Sequence, residues 1–231
     1  MPQVERSEIP QSGVERSEIS IHRNERSEIP HRGASQKILF LWGESQSEHL
    51  LTTEQGQRLY ECIRQAFNDL PRPGLLVLDC RQIQSITPAC VHHILKIFHE
   101  RKQEGETEKY MLIQLQDDSS DLKTCFRLVA KEEGLVLLCC DEMGNWELLG
   151  KLTHAERSTL EVVQTLGSAT SEQVSHELKL PPAAASNRLR QLYQMGLAVR
   201  EEASLPLTGG RRFTYSFVLS FPFQKSPVEC V

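Results

Sequence analysis

The chain has 231 residues, 39% of them hydrophobic and 25% charged, which is enough apolar material to bury one or two cores behind an ordinary water-facing surface. A formal net charge of −5 excludes a protein coated in basic patches. No run of 18 apolar residues exists to cross a membrane, and the polar start MPQVERSEIPQSG has no stretch suited to a secretory signal, so a cytoplasmic protein without membrane contact is expected. The charge is unevenly spread, at −1 over residues 1–34, −6 over 35–150 and +2 over 151–231. Only the last part is basic.

Residues 1–34 carry Glu-Arg-Ser-Glu-Ile three times, at 5–9, 15–19 and 25–29, punctuated by Pro10, Ser20 and Pro30. One aliphatic residue per ten cannot bury enough surface to offset the entropy of ordering the chain, so a disordered tail is predicted. Residues 35–142 then alternate strand-length apolar runs with helical periodicity. Lys37–Trp42 reads as a strand and Thr53–Leu70 as a helix with Leu59, Ile63, Ala66, Phe67 and Leu70 inward. Leu75–Cys80 reads as a buried strand, followed by a helix over Pro88–Arg101 and a strand over Lys109–Gln116. Asp117-Asp118 reads as a turn at the end of that strand, and a helix over Ser120–Lys131 and a strand over Leu135–Cys140 complete the alternation. This order predicts an α/β domain whose sheet contains parallel pairs and is packed by its crossover helices.

Seven cysteines, at 62, 80, 90, 125, 139, 140 and 230, form no CxxC pair, and most sit inside apolar runs, as small buried hydrophobes of a reducing compartment do. Cys90, His92, His93 and His99 share one predicted helix, but no second ligand pair at zinc-like spacing follows, so no metal is expected. No P-loop, GxSxG, HExxH or paired-carboxylate arrangement appears, which argues against an enzyme and against a bound cofactor.

The stretch Gly74-Leu-Leu-Val-Leu-Asp79-Cys-Arg-Gln-Ile83-Gln-Ser-Ile86-Thr-Pro-Ala-Cys-Val-His-His-Ile94-Leu95 resembles the STAS-like fold of anti-sigma-factor antagonists, and in particular the STAS-like regulatory domains found beside helix-turn-helix modules. In that family an Asp-Ser-Ser-Gly motif starts a helix with a phosphorylatable serine. Here Thr87-Pro88-Ala89-Cys90 occupies the place, so Pro88 or Ala89 stands where the phosphate acceptor would be and the switch is expected to be inactive. Thr87 suits a helix cap and Pro88 a first helical turn. Asp79 and Ser85 are the groups near that helix start able to line an anion site.

Residues 143–151 read as a linker, and 152–221 as a second, α+β domain. Thr153-His-Ala-Glu156 and Thr170-Ser-Glu-Gln173 fit capping boxes, the first opening a helix to about Leu166 that Gly167 stops, the second a short helix burying Val174 and Leu178. Pro181-Pro182 opens a third helix that ends at Gly196. On it Ala185, Leu189 and Leu192 form the inward stripe, while Ala183, Ser186, Asn187, Arg190 and Gln194 cluster opposite and Arg188 lies to one side. Leu197–Glu202 and Arg211–Leu219 read as two strands of a hairpin whose turn holds Pro206, Gly209 and Gly210, with Arg211 and Arg212 next to the glycines. Residues 222–231 are left as a C-terminal tail.

The run from Leu180 to Arg200 resembles the recognition helix and following strand of bacterial winged-helix regulators of the MarR and ArsR type. The resemblance implies that Ala183, Ser186, Asn187, Arg190 and Gln194 face base edges, that Arg188 reaches phosphate, and that Arg211 and Arg212 touch the backbone or minor groove of double-stranded DNA. The leading expectation is therefore a nucleoid-associated transcriptional regulator, a homodimer whose STAS-like domain dimerises or docks a regulatory protein. The alternative is a non-DNA adaptor in anti-sigma or kinase signalling that uses both domains for protein contacts.

Overall fold

The computed structural model describes residues 34–105, 108–116, 119–203 and 212–225. The repeat-bearing N-terminal residues, Asp117-Asp118, and the hairpin turn with Pro206, Gly209, Gly210 and Arg211 lie outside the described residues. Strand β1 (Ser35–Phe40) leads into a short helix α1 (Leu41–Ser45), so Trp42 belongs to a helix rather than to the predicted strand. Next come β2 (His49–Leu50), α2 (Thr53–Asn68), β3 (Gly74–Asp79), β4 (Ser85–Ile86), α3 (Pro88–Glu104), β5 (Lys109–Gln114), α4 (Ser120–Glu132), β6 (Val136–Cys140) and β7 (Trp146–Gly150). The C-terminal part contributes α5 (His154–Leu166), β8 (Ser168–Ala169), α6 (Ser171–Leu178), α7 (Pro182–Gln194), β9 (Ala198–Ala203), β10 (Arg212–Phe217) and β11 (Gln224–Lys225).

The main sheet has six strands in the order β11-β1-β3-β5-β6-β7. β1, β3, β5 and β6 run parallel, and α2, α3 and α4 are the crossovers between them. Each crossover steps one strand in the same direction, and right-handed crossovers of that kind place all three helices on one face. Leu76 and Leu78 of β3, Met111 and Ile113 of β5, and Leu137 and Cys139 of β6 point into the core beneath those helices. Their sequence neighbours Leu75, Val77, Tyr110, Leu112 and Leu138 point the other way and share a second core with Leu160, Val163, Leu189 and Leu192 of the C-terminal helices. A sheet buried on both faces explains why these strands read as continuous apolar runs.

Two further stretches differ from the sequence expectation. The linker at 143–151 contains β7, antiparallel to β6 with Cys140 opposite Trp146 and Val136 opposite Gly150. A turn joins the two strands: the Asn145 N–H donates to the Asp141 carboxylate at 2.8 Å, and its side-chain amide donates to the other carboxylate oxygen at 2.8 Å. Gly150 closes the strand at φ 123°, where an added Cβ would meet the Leu135 carbonyl oxygen at 2.2 Å. In the C-terminal tail, Gln224 and Lys225 form β11, parallel to β1 opposite Ser35 and Gln36. Phe223 lies with its ring centroid 6.0 Å from that of Tyr110 in the sheet, and Trp146 of β7 sits 4.9 Å from Phe217 of β10. The two halves are therefore sewn into one unit rather than joined by a tether.

Buried charge is used to finish helix ends. The Lys109 ammonium, 7% exposed as a residue, donates to the carbonyls of Phe67 and Asn68 at 2.8 and 2.9 Å, in the last turn of α2, where carbonyls have no partner four residues further along the helix. Lys109→Met keeps the stem and removes the donors, and is expected to lower stability by about 1–3 kcal/mol in urea denaturation. An unchanged midpoint would show that the ammonium is not needed there.

Candidate nucleic-acid interface

The local sequence builds α5, α6 and α7 from their caps. Thr153 and Thr170 each accept from the N–H three residues on, Glu156 at 3.2 Å and Gln173 at 3.3 Å, and both Glu156 and Gln173 return a side-chain bond to the cap. Lys179 ends α6 in the left-handed conformation, φ 52°, an unusual choice for a residue with a Cβ. Ser175 supports that tight exit by donating to the Leu180 carbonyl at 2.5 Å. Pro181 and Pro182 then start α7 without leaving an orphan N–H at the first helical position.

Along α7, Ala185, Leu189, Leu192 and Tyr193 are buried. Ala183, Ser186, Asn187, Arg190 and Gln194 are exposed together on the opposite side, and Arg188 is half-buried at its margin. These positions agree with the helical-wheel expectation. The hairpin pairs β9 with β10 from Phe217 opposite Ala198 to Arg212 opposite Ala203, and β8 adds a third strand through Ala169 opposite Tyr215.

Arg212 does not project freely. Its guanidinium donates to the Glu172 carboxylate in the first turn of α6 at 2.7 Å, tying the start of β10 to that helix. Arg200 of β9 went unnoticed in the sequence. Its guanidinium carbon lies 4.5 Å from the ring centroid of Tyr193 at the end of α7 and 4.6 Å from that of Phe213 on β10. Burial pushes the Tyr215 phenol up, and the positive charge of Arg200, opposite it in the hairpin, opposes that shift. The cue was the strand register, which places Tyr215 opposite Arg200 and cannot be read from composition.

At the start of α3 the Thr87 hydroxyl accepts from the Cys90 N–H at 3.4 Å, Pro88 fills the first turn, and Ala89 is exposed. The two groups able to line an anion site there, Asp79 and Ser85, have protein partners. Arg81 clasps the buried Asp79 carboxylate, with its terminal nitrogen at 2.6 Å and its Nε at 3.0 and 3.1 Å, while Ser85 Oγ is 2.9 Å from His49 Nδ1. A negative carboxylate whose cation is already engaged does not attract an anion.

The four residues weighed as zinc ligands are split apart. The Cys90 thiol donates to the Thr52 carbonyl at 2.9 Å, in a contact between α2 and α3 so close that a Cβ at Gly56 would meet Cys90 Cα at 2.9 Å. His92 and His99 face α4, where Glu133 lies 2.8 Å from His92 and 2.5 Å from His99. No group of three or more His, Cys, Asp or Glu among the described residues is placed to hold a metal ion. Burial pushes the thiols up, Cys139 to about 12 and Cys62 and Cys140 to about 11, which leaves them protonated and unreactive at neutral pH. Among the described residues no helix is long and apolar enough to cross a membrane. Comparison of the chain with protein-family models, with curated proteins and with solved structures finds no match.

Proposed function

We propose that this protein binds double-stranded DNA as a transcriptional regulator, with α5 to α7 and the β9–β10 hairpin acting as a winged helix-turn-helix module. The observation that carries the reading is the exposed side of α7, where small residues (Ala183, Ser186) precede Asn187, Arg190 and Gln194 on one face. Small residues let a helix approach the major groove, asparagine pairs two-pronged with adenine, and arginine does so with guanine. Arg188, at the margin, serves phosphate. The α/β half, in this reading a STAS-like domain without a phosphorylatable serine, serves as the dimerisation or partner-docking module that a two-fold DNA reader requires.

Gel shifts on genomic fragments across a salt series test it. Affinity should fall linearly with salt on logarithmic axes and differ between fragments. Failure to shift any fragment at about 50 mM salt and micromolar protein would overturn the reading, since even non-specific DNA binding reaches that range.

The Arg212–Glu172 pair makes a finer expectation. The carboxylate occupies the cation that the hairpin would otherwise offer to phosphate. Glu172→Gln should raise DNA affinity about two- to fivefold and steepen the salt slope by roughly one contact. A lower affinity would show that the pair instead holds the hairpin in its binding position.

A further inference from the structure

We propose that Arg200 is a positioning residue that fixes the hairpin against the end of α7, so that hairpin and reading helix meet DNA as one rigid surface. The inference rests on the DNA reading above. It starts from an oddity of charge: the C-terminal part is the only basic segment of the chain, yet this half-buried arginine lies against two aromatic rings.

Three elements converge on its guanidinium. Tyr193, 4% exposed, belongs to the last turn of α7, while Phe213 and Tyr215 belong to β10, and Arg200 itself is on β9. A flat guanidinium stacks on two rings at once, whereas a lysine ammonium is a compact, strongly hydrated point charge with no face to stack.

This role differs from a phosphate contact in what lysine does. If Arg200 met phosphate directly, Arg200→Lys would keep the charge and most of the affinity. If it positions the hairpin, Arg200→Lys and Arg200→Met should fail alike, each losing roughly five- to tenfold in affinity for a preferred fragment. Both should also flatten the salt slope by about one, through hairpin contacts no longer made.

The test measures salt-dependent binding of the full chain and both variants, each shown folded at the assay temperature by a thermal melt. Arg190→Ala is added singly and in each background. Its fold-loss should be the same in all backgrounds, because α7 itself is undisturbed. Recovery of affinity and slope by Arg200→Lys would overturn the proposal in favour of direct phosphate contact. Unchanged affinity in both folded variants would overturn it while leaving the DNA reading intact. A parent chain that binds no DNA would overturn the reading and this inference together.

Discussion

A fragment holding residues 35–150 is expected not to fold, even though it contains β1 to β7 and all three crossover helices. Removing the remainder uncovers Leu75, Val77, Tyr110, Leu112 and Leu138, five side chains on one sheet face that are each under 8% exposed in the whole chain. At about 1.5–3 kcal/mol per large apolar side chain, the loss is on the order of 10 kcal/mol, comparable to the entire stability of an ordinary domain. An exposed patch of that kind also drives association. The fragment should bind a hydrophobic dye and lack near-ultraviolet circular dichroism, whereas the full chain should melt in one transition followed equally by fluorescence and calorimetry. Leu112→Ala in the full chain should lower that one transition, at a cost of about 2–5 kcal/mol. A soluble fragment with a sharp melt of its own, or two separate transitions in the full chain, would show that the halves are independent.

The second large effect concerns the exposed side of α7. Replacing Asn187 and Arg190 together by alanine removes both groups proposed to pair with base edges. Each such contact is worth about 1–3 kcal/mol of discrimination, so specific affinity should fall by roughly two to four orders of magnitude while random DNA is bound nearly as before. Both side chains are exposed, so the melting temperature should barely move. Competition anisotropy with specific and random duplexes decides the matter. Equal losses on both would mean that these residues meet the backbone rather than the bases.

The fold was legible where a short-range rule governs it. Capping boxes at Thr153 and Thr170, the threonine-proline start of α3 and the Pro181-Pro182 start of α7 each mark a helix within a residue or two of where it begins. Alternation of strand and helix through residue 140 likewise predicts the order β1, α2, β3, α3, β5, α4, β6, without the short α1, β2 and β4. What escaped depends on partners distant in sequence. β7 is five residues with two leucines, too short to show a period, and it is a strand because β6 lies beside it. β11 has two residues and exists only through Ser35 and Gln36, nearly two hundred positions earlier. The same holds at the candidate interface. The exposed side of α7 follows from helical geometry alone, but the pairing of Arg212 with Glu172 and the ring stack around Arg200 arise from register and from the docking of separate elements. Local pattern says which side of a helix is wet, and says nothing about which cation is already spoken for.

The strand after the hairpin, β11, bears on how such a protein would measure distance. Many DNA-reading modules hang on flexible linkers and tolerate altered half-site spacing, because the tether absorbs the difference. Here the segment proposed as such a module is held on both sides, by β7 leading into it and by β11 returning to β1. In a dimer of such chains the separation between the two α7 helices would be set by the subunit contact alone, as on a ruler. Inserting about five base pairs between half-sites turns one of them to the far side of the duplex, and a ruler of this kind cannot follow it.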